Sequence, residues 1–309
     1  MKNLKKDLLS IYDLSVEQIW GLVSSARKLK KSKYSDKLKN KTIGLIFEKP
    51  STRTMVSFET AMVQSGGVPL VLDTQKLQTK RGESIYDTSK VLSRYLNALV
   101  IRAFKHEFVA EFAKYCSIPV INALTDFEHP CQILADLMTI IEKFNIKSVK
   151  ELKKLKIVFA GDSNNVFNSW LAISAVLGLN FVQLGPKKYF PKKDLLQKAS
   201  EYAKKTKAQI LISNDINDVK GANVIYTDVW TSMGNEKEAD VRKKEFKPYQ
   251  VNVDMLKKAN KNCIVLHCLP AVRGQEITEE VMALQEKNIF DQAENRLHIQ
   301  KAIMFALIK

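Results

Sequence analysis

The sequence predicts an α/β protein of two similar domains, each a parallel sheet flanked by helices. Short apolar runs, typical of buried strands, alternate with longer stretches of helical periodicity, and this alternation starts twice along the chain. A length of 309 residues is enough for two domains that each bury a core of their own. We therefore predict a first domain at 1–145, on which a C-terminal helix at 292–309 packs, and a second domain at 146–291.

The first alternation follows a helix that opens with a capping box. Ser15 and Gln18 have the spacing of that box, so a helix is predicted from Ser15 to about Leu29, with a lysine-rich loop at 30–41. Strands are predicted at 42–47, 69–72, 98–102 and 119–122. Helices are predicted at 52–64, 84–96, 106–115 and 130–144, which gives a parallel sheet with helical crossovers.

The second alternation begins near Lys156. Strands are predicted at 156–160, 180–184, 209–212, 223–226 and 263–267, with helices at 166–177, 194–204 and 253–259 and a last helix from about Asn295. The stretch 235–248 is highly charged and has no clear apolar stripe, so we predict a mobile surface loop there.

Two helices, at 130–144 and 295–309, are predicted to bridge the domains. The active site is then expected in the cleft between the two domains. A single α/β domain with a phosphate site at one edge of its sheet is the alternative, because a fold of this class does not by itself imply an activity.

The strong positive charge of the chain raises the question of a nucleic-acid partner. The formal net charge is +16 and the isoelectric point is about 9.5. The lysines are dispersed along predicted helices, however, and no signature of a recognition module accompanies them. We therefore predict solvated helix faces and no nucleic acid, and keep a basic nucleic-acid-binding protein as a second hypothesis. A positive field also attracts a doubly charged phosphate substrate.

The cysteines and histidines show no spacing typical of a metal site. The chain has four cysteines and no C-x-x-C pair, which favours reduced thiols over a disulfide framework. A zinc site would have to draw on His129, Cys131, Cys263, His267 and Cys268, and none of the usual ligand spacings connects them. We therefore expect no metal.

No apolar run is long enough to cross a membrane, and the N-terminus is charged where a signal peptide would be apolar. The sequence thus predicts a cytoplasmic protein with no membrane partner.

An anion site is predicted where Ser51-Thr52-Arg53-Thr54 follows the first buried strand and begins a helix. A phosphate at this helix start would meet unpaired backbone N–H groups, the positive end of the helix dipole, three hydroxyl groups and the two-pronged guanidinium of Arg53. The simpler interpretation is that Ser51 only caps the helix.

Three further motifs lie at or just past the ends of predicted strands. They are H-P-C-Q at 129–132, D-V-W-T-S-M-G at 228–234 and H-C-L-P at 267–270. Ligands of open α/β sheets bind at that edge. Together with S-T-R-T at 51–54, these motifs make the sequence similar to the aspartate/ornithine carbamoyltransferase family. That family has S-T-R-T and H-P-x-Q, with D-x-x-x-S-M-G and H-C-L-P in its ornithine branch, and the resemblance covers nearly the whole chain.

The resemblance implies a role for each motif residue. His129 donates to the carbamoyl oxygen as charge builds there, and Leu269 lends its backbone carbonyl to the carbamoyl nitrogen. The implied catalytic residues are Arg102, His129, Cys268 and Arg296. The implied carbamoyl phosphate ligands are Ser51, Thr52, Arg53, Thr54, Arg102, His129, Gln132, Cys268, Leu269 and Arg296. The implied ornithine ligands are Asn165, Asp228, Ser232 and Met233.

The resemblance also implies the reaction. Carbamoyl phosphate and L-ornithine would give L-citrulline and phosphate, as part of arginine metabolism, by direct attack of the neutral δ-amine. No metal or organic cofactor is implied, and the family's catalytic unit is a homotrimer or a multiple of it. A sister reaction on N-acetylornithine, putrescine or aspartate is the alternative, which the Ser232-Met233-Gly234 turn disfavours.

One position departs from the family pattern. The family commonly continues S-T-R-T with another arginine, whereas this chain has Met55. The loss of a cation beside an anion site could weaken the binding of carbamoyl phosphate. We predict that Lys80 or Arg81 supplies compensating charge.

Overall fold

The computed structural model describes residues 4–74, 77, 82–231 and 236–309. The chain divides into two compact units. Unit 1 consists of Met1–Met138 and Glu294–Lys309, and unit 2 consists of Thr139–Ala293. Each contains one parallel sheet with helices between its strands, so the predicted α/β class is confirmed.

The sheet of unit 1 has four parallel strands in the order β2-β1-β3-β4. The two central strands are apolar along almost their whole length, as expected for strands covered by helices on both faces. The strands are β1 (Thr42–Phe47), β2 (Val68–Asp73), β3 (Ala98–Arg102) and β4 (Val120–Leu124).

Three helices of unit 1 begin at serine caps that can be predicted from the sequence, whereas the helix His106–Tyr115 has no side-chain cap. Ser15, Ser51 and Ser84 each accept a hydrogen bond from a backbone N–H of the first helical turn, and Ser15 forms the predicted capping box with Gln18. The helices are α1 (Val16–Lys31), α2 (Thr52–Val63), α3 (Ile85–Tyr95) and α4 (His106–Tyr115), followed by α5 (Pro130–Lys143), which runs on into unit 2.

The sheet of unit 2 has five parallel strands in the order β7-β6-β5-β8-β9. The strands are β5 (Lys156–Ala160), β6 (Asn180–Leu184), β7 (Gln209–Ser213), β8 (Val224–Thr227) and β9 (Ile264–His267). The helices are α6 (Val149–Leu152), α7 (Asn165–Leu177), α8 (Lys193–Thr206), α9 (Ala239–Phe246), α10 (Val253–Lys258), α11 (Glu279–Leu284) and α12 (Glu286–Leu307), the last of which ends in unit 1.

Strand order reverses once in each sheet. In unit 1 the chain moves from β1 outward to β2 and then crosses to β3 on the other side of β1. In unit 2 it moves from β5 outward to β6 and β7 and then crosses to β8. A crevice forms outside the carboxyl ends of the strands at such a reversal, which is where open α/β sheets bind ligands. Both units therefore provide a binding position directly after their first strand.

Two predictions for the second half of the chain are wrong. The stretch 235–248, predicted as a mobile loop, contains α9, which forms because Arg242 and Phe246 are buried. The last helix begins at Glu286 rather than near Asn295. The sequence pattern does not indicate its first turns, because they carry few apolar residues and form no apolar stripe. The short helices α6 and α11 were also missed.

Within the described ranges, no helix combines the length and the apolar composition that crossing a bilayer requires. The boundaries between the units fall inside α5 and α12. The domain limits inferred from the sequence stay a prediction, as does an active site in a cleft between domains.

Candidate active site

The S-T-R-T motif begins α2 directly after β1. Ser51 is the N-cap of this helix, and its Oγ accepts a hydrogen bond from the N–H of Thr54 at 3.3 Å. Thr52 and Arg53 are exposed, whereas Thr54 is buried. Ser51 therefore caps the helix, and its additional contact with an anion stays a prediction.

Arg102 lies next to this helix start because β3 pairs with β1. It is the last residue of β3, stands opposite Phe47 in the strand register, and is buried. Lys49, which the sequence analysis did not single out, is also buried, with its Nζ 4.3 Å from the centre of the Phe104 ring. Burial, and then the charge of Arg102, lower the pKa of Lys49. The helix start thus lies among several cations.

Arg296 joins the S-T-R-T and H-P-C-Q motifs within unit 1. Its Nη2 donates to the Oγ1 of Thr54 at 3.0 Å, and its Nη1 donates to the Oε1 of Gln132. Gln132 in turn donates from Nε2 to the Oδ1 of Asp136 at 2.7 Å. Arg296, Thr54 and Gln132 were selected from separate motifs, and the structure brings all three into contact.

His129 is buried just before α5 and faces positive charge. Burial, followed by the charges of Arg296, Arg102 and Arg53, lowers the pKa of His129 well below its usual range. The imidazole is therefore neutral at neutral pH, and it can act as a hydrogen-bond donor without a charge of its own. The predicted residues of unit 1 thus form one cationic group around a neutral donor.

The lowered pKa of His129 should make stability depend on pH. The unfolded chain takes up a proton at this position below about pH 6.5, whereas the folded chain resists it, so stability should fall as the pH drops below that value. Replacing His129 with glutamine removes this penalty. We expect the melting temperature of His129→Gln, relative to wild type, to rise as the pH is lowered from about 7 to 5. His106→Gln is the control, and parallel curves for wild type and His129→Gln would contradict the prediction.

Asp228 is the centre of the corresponding group in unit 2. It follows β8 and is buried, and its Oδ2 accepts a hydrogen bond from the Nδ2 of Asn164 at 2.7 Å. Its Oδ1 accepts from the N–H of Val229 at 2.8 Å and from the Sγ of Cys268 at 3.0 Å. The structure thus brings Cys268 and Asp228, which belong to separate motifs, into contact.

Asn164 is a contact that the sequence analysis missed. Its Oδ1 accepts from the first N–H groups of α7, so that one side chain caps the helix and bonds Asp228. Asn165, selected from the sequence, is the first residue of α7 and is half-buried. In the sequence, Asn164 could be selected only by its position in a polar run after β5. Asn165 lies in the same run, so this position did not distinguish the two residues.

Arg242 on α9 connects the loop after β5 with the segment after Asp228. Its Nη1 donates to the Oδ2 of Asp162 at 2.6 Å and to the carbonyl of Trp230 at 3.0 Å, and its Nε donates to Glu238 at 3.1 Å. Burial raises the pKa of Asp162, although the bond from Arg242 opposes that rise. Nothing in the charged sequence 235–248 distinguished this buried arginine from its exposed neighbours.

Several predicted residues lie outside the described residues, namely Ser232, Met233, Lys80 and Arg81. Leu269 is described and has a left-handed backbone, with φ of 57°. Its N–H donates to the Nδ1 of His267 at 2.8 Å. The residue thus lies in a sharp turn directly after Cys268.

One candidate metal site lies in the described residues: Asp228, His267 and Cys268 place ligand atoms within 4.8 Å of one another. His267 does not fit this role. Its Nδ1 accepts from Leu269, and its Nε2 pairs with the Oε1 of Glu276 at 3.0 Å, so neither ring nitrogen is available. A carboxylate and one thiol are too few ligands for a structural zinc.

Comparisons with known proteins define the class of enzyme as a carbamoyltransferase. The model of the aspartate/ornithine carbamoyltransferase carbamoyl-P binding domain matches residues 6–142, and that of the Asp/Orn binding domain matches residues 153–307. The chain belongs to the aspartate/ornithine carbamoyltransferase family, as its motifs predicted.

Eight relatives that are 45–50% identical over almost the full length are named for one member of this family. The ornithine carbamoyltransferase of Methanosphaera stadtmanae is 50% identical, over 98% of this chain and 99% of its own. That of Hyperthermus butylicus is 48% identical, over 98% and 97%. The solved structure of ornithine carbamoyltransferase from Pyrococcus furiosus has a TM-score of 0.92 and 44% identity, covering 100% of this chain and 99% of the other.

Proposed function

We propose that this protein transfers the carbamoyl group of carbamoyl phosphate to the δ-amine of L-ornithine, giving L-citrulline and phosphate in arginine metabolism. The observation that carries the proposal is the cationic group of unit 1, in which Arg53, Arg102 and Arg296 act on a neutral, buried His129. The full-length relatives named ornithine carbamoyltransferase support the choice of amine. Direct attack of the amine requires no metal or organic cofactor.

The first substrate would bind in a domain made of 1–145 and 292–309. The first turn of α2 offers the phosphate its N–H groups and the Ser51, Thr52 and Thr54 hydroxyls, and Arg53 and Arg102 offer charge. These groups neutralise the phosphate as it leaves. The same contacts hold the carbamoyl carbon in place for attack.

The carbamoyl carbonyl would be polarised by His129 and Arg296. Negative charge develops on its oxygen when the amine adds, and fixed donors in a buried position stabilise that charge better than water does. Gln132, held by Arg296, and the backbone carbonyl of Leu269 would bind the carbamoyl amide. The amine nitrogen then forms its bond to the carbamoyl carbon, the bond from that carbon to the phosphate oxygen breaks, and the nitrogen loses a proton.

The second substrate would bind in a domain at 146–291. Asp228 accepts hydrogen bonds from Asn164 and Cys268, and in our proposal it also binds an ammonium group of ornithine, with Asn165, Ser232 and Met233 as further ligands. An unperturbed alkyl amine has a pKa of about 10.4, so the δ-amine has to lose a proton before it attacks. Cys268 is proposed to contact that amine.

A product assay with four amines tests the proposal. Carbamoyl phosphate is supplied with ornithine, N-acetylornithine, putrescine or aspartate in separate reactions, from pH 6 to about pH 10 so that the amine titration is included. We expect citrulline from ornithine alone, with turnover that rises with pH. Activity only with another amine would overturn the roles given to Asp228, Ser232 and Met233.

We propose a homotrimer as the assembled form. Most of the exposed large apolar side chains in the described residues belong to unit 1, and α2, the edge strand β2 and α3 carry eight of them: Val56, Val63, Val68, Leu70, Val71, Tyr86, Val91 and Tyr95. Exposed apolar surface of this kind marks interaction sites.

Light scattering should give three times the chain mass of 35.1 kDa, or a multiple of that value. Val71→Asp on β2 should dissociate the trimer, whereas Leu211→Asp on the edge strand β7 should not, although the two side chains are 47% and 46% exposed. A monomeric wild type would contradict the proposal.

We also propose a cytoplasmic location. None of the four cysteines forms a disulfide bond, as is usual in a reducing compartment. Cell fractionation tests this, and recovery of the protein outside the cytoplasmic fraction would contradict it.

A further inference from the structure

A buried pair, His267 and Glu276, lies directly beside Cys268 and Leu269. Both side chains are 0% exposed, and the His267 Nε2 and the Glu276 Oε1 are 3.0 Å apart. The other ring nitrogen, Nδ1, receives the N–H of Leu269 at 2.8 Å. A backbone N–H can only donate, so Nδ1 must be the acceptor, and the ring proton lies on Nε2 and points to Glu276. Together the two contacts select one tautomer of His267.

The same pair holds both ends of the turn that follows β9. The Oε1 of Glu276 also accepts from the N–H of Val272 at 2.6 Å, so one carboxylate oxygen binds the imidazole and the far end of the turn. At the near end of the turn, a third residue contributes: the Oε1 of Gln292 accepts a hydrogen bond from the backbone N–H of His267 at 2.9 Å. Leu269, between them, has a φ of 57°, which a leucine adopts only when its surroundings impose it. The bond from Leu269 to His267 is one contact that holds the residue in this conformation.

We propose that His267 and Glu276 are positioning residues for the carbamoyl transfer. By fixing the tautomer of His267, Glu276 keeps Nδ1 an acceptor for Leu269, and this holds the Leu269 carbonyl and the neighbouring Cys268 thiol in their working positions. The inference rests on the proposed function, in which these two groups contact the carbamoyl amide and the amine. His267 then has a role in the reaction without contacting the substrate. Glu276 orients His267 in the way that a carboxylate orients a catalytic histidine in other enzymes.

Two variants of His267 separate its two bonds. An asparagine places its side-chain oxygen near the position of Nδ1, so His267→Asn keeps an acceptor for Leu269 and loses the bond to Glu276. A glutamine places its amide near the position of Nε2, so His267→Gln keeps the bond to Glu276 and loses the acceptor. We expect kcat to fall by about 100-fold in His267→Gln and by no more than about 10-fold in His267→Asn, because a small displacement of reacting groups costs about that much. Equal losses, or the reverse order, would overturn the proposal.

Two variants of Glu276 test the tautomer itself. The oxygen Oε1 makes both bonds of the carboxylate, so the amide oxygen of Glu276→Gln can replace it, and kcat should stay within about 10-fold of wild type. Glu276→Leu removes the acceptor and should lower kcat by about 100-fold. Glu279→Leu is the matched control, since Glu279 is exposed on α11 and pairs with Arg273. Wild-type turnover in Glu276→Leu would overturn the proposal.

Nitrogen-15 NMR of labelled histidine provides a readout that a merely structural role would not change. The chain has only four histidines, so the resonances can be assigned by substitution. Wild type and Glu276→Gln should show His267 with its proton on Nε2, whereas Glu276→Leu should show a mixture of tautomers. A single Nε2 tautomer in Glu276→Leu would overturn the proposal.

Calorimetry with inorganic phosphate shows whether unit 1 of each variant is intact, because the predicted phosphate ligands lie in that unit. If Glu276→Leu fails to bind phosphate, the comparison of His267→Asn with His267→Gln decides. A wild type that shows the expected tautomer but no turnover with ornithine would overturn the proposed function and leave the His267 assignment in place.

Discussion

Replacing Arg296 with methionine should lower kcat by about 10³-fold and weaken the binding of inorganic phosphate by about 10- to 100-fold. The guanidinium bonds Thr54 and Gln132 and is, after burial, the strongest influence that keeps the pKa of His129 low. Methionine fills a similar volume but offers neither charge nor donors. The first number is to be measured by steady-state kinetics and the second by calorimetry.

Two control variants and one further measurement distinguish this loss from a general effect. Arg94→Met removes an exposed arginine of the same unit and should change neither quantity. Arg296→Lys keeps a charge but loses the two-pronged geometry, so it should recover part of the phosphate binding and little of kcat. Removal of a cation should also let the pKa of His129 rise toward its usual range, which an NMR titration of the imidazole measures. Arg296→Met with wild-type turnover would refute the role given to this residue.

Asp228→Asn should raise the KM for ornithine by about 10- to 100-fold, while phosphate binding stays unchanged. The carboxylate accepts from Asn164 on one oxygen and from Cys268 on the other. An asparagine turns one of these acceptors into a donor, which then faces the donor group of Asn164 or Cys268. The substitution also removes the negative charge that is proposed to bind the ammonium group. Initial rates at varied ornithine concentration measure the effect.

Asp254→Asn is the matched control for this substitution. Its side chain is 84% exposed in unit 2 and its ion pair with Lys257 is screened by solvent, so the KM for ornithine should not change. If Asp228→Asn binds ornithine as tightly as wild type does, the ammonium contact proposed for Asp228 is wrong.

The sequence was most informative where burial decides the structure. The predicted strands 42–47, 98–102 and 156–160 have the same limits as β1, β3 and β5, because a central parallel strand is covered on both faces and reads as one apolar run. The N-cap at Ser51 and the capping box at Ser15 could also be predicted, since a cap and its partner lie within one helical turn.

Two of the failures share a different cause, which is dependence on a partner far away in the chain. Helix α9 is tied down by the bond of Arg242 to Asp162, 80 positions earlier, and no local pattern records that bond. Asn164 was passed over for Asn165 because its partner, Asp228, lies 64 positions away. The motifs predicted the candidate site residues, but the two bonds of the His267 ring depend on the turn after β9, which no motif records.

A neutral His129 has a consequence for the path of the proton in the reaction. Burial and three arginines hold the pKa of the His129 ring low, so the ring can donate a hydrogen bond but is a weak base. In the proposed reaction, the proton that the amine gives up therefore needs another acceptor, and the departing phosphate is a basic group that the reaction itself creates. Acidification would then slow the enzyme by protonating its amine substrate, while the donor at His129 stays in working order.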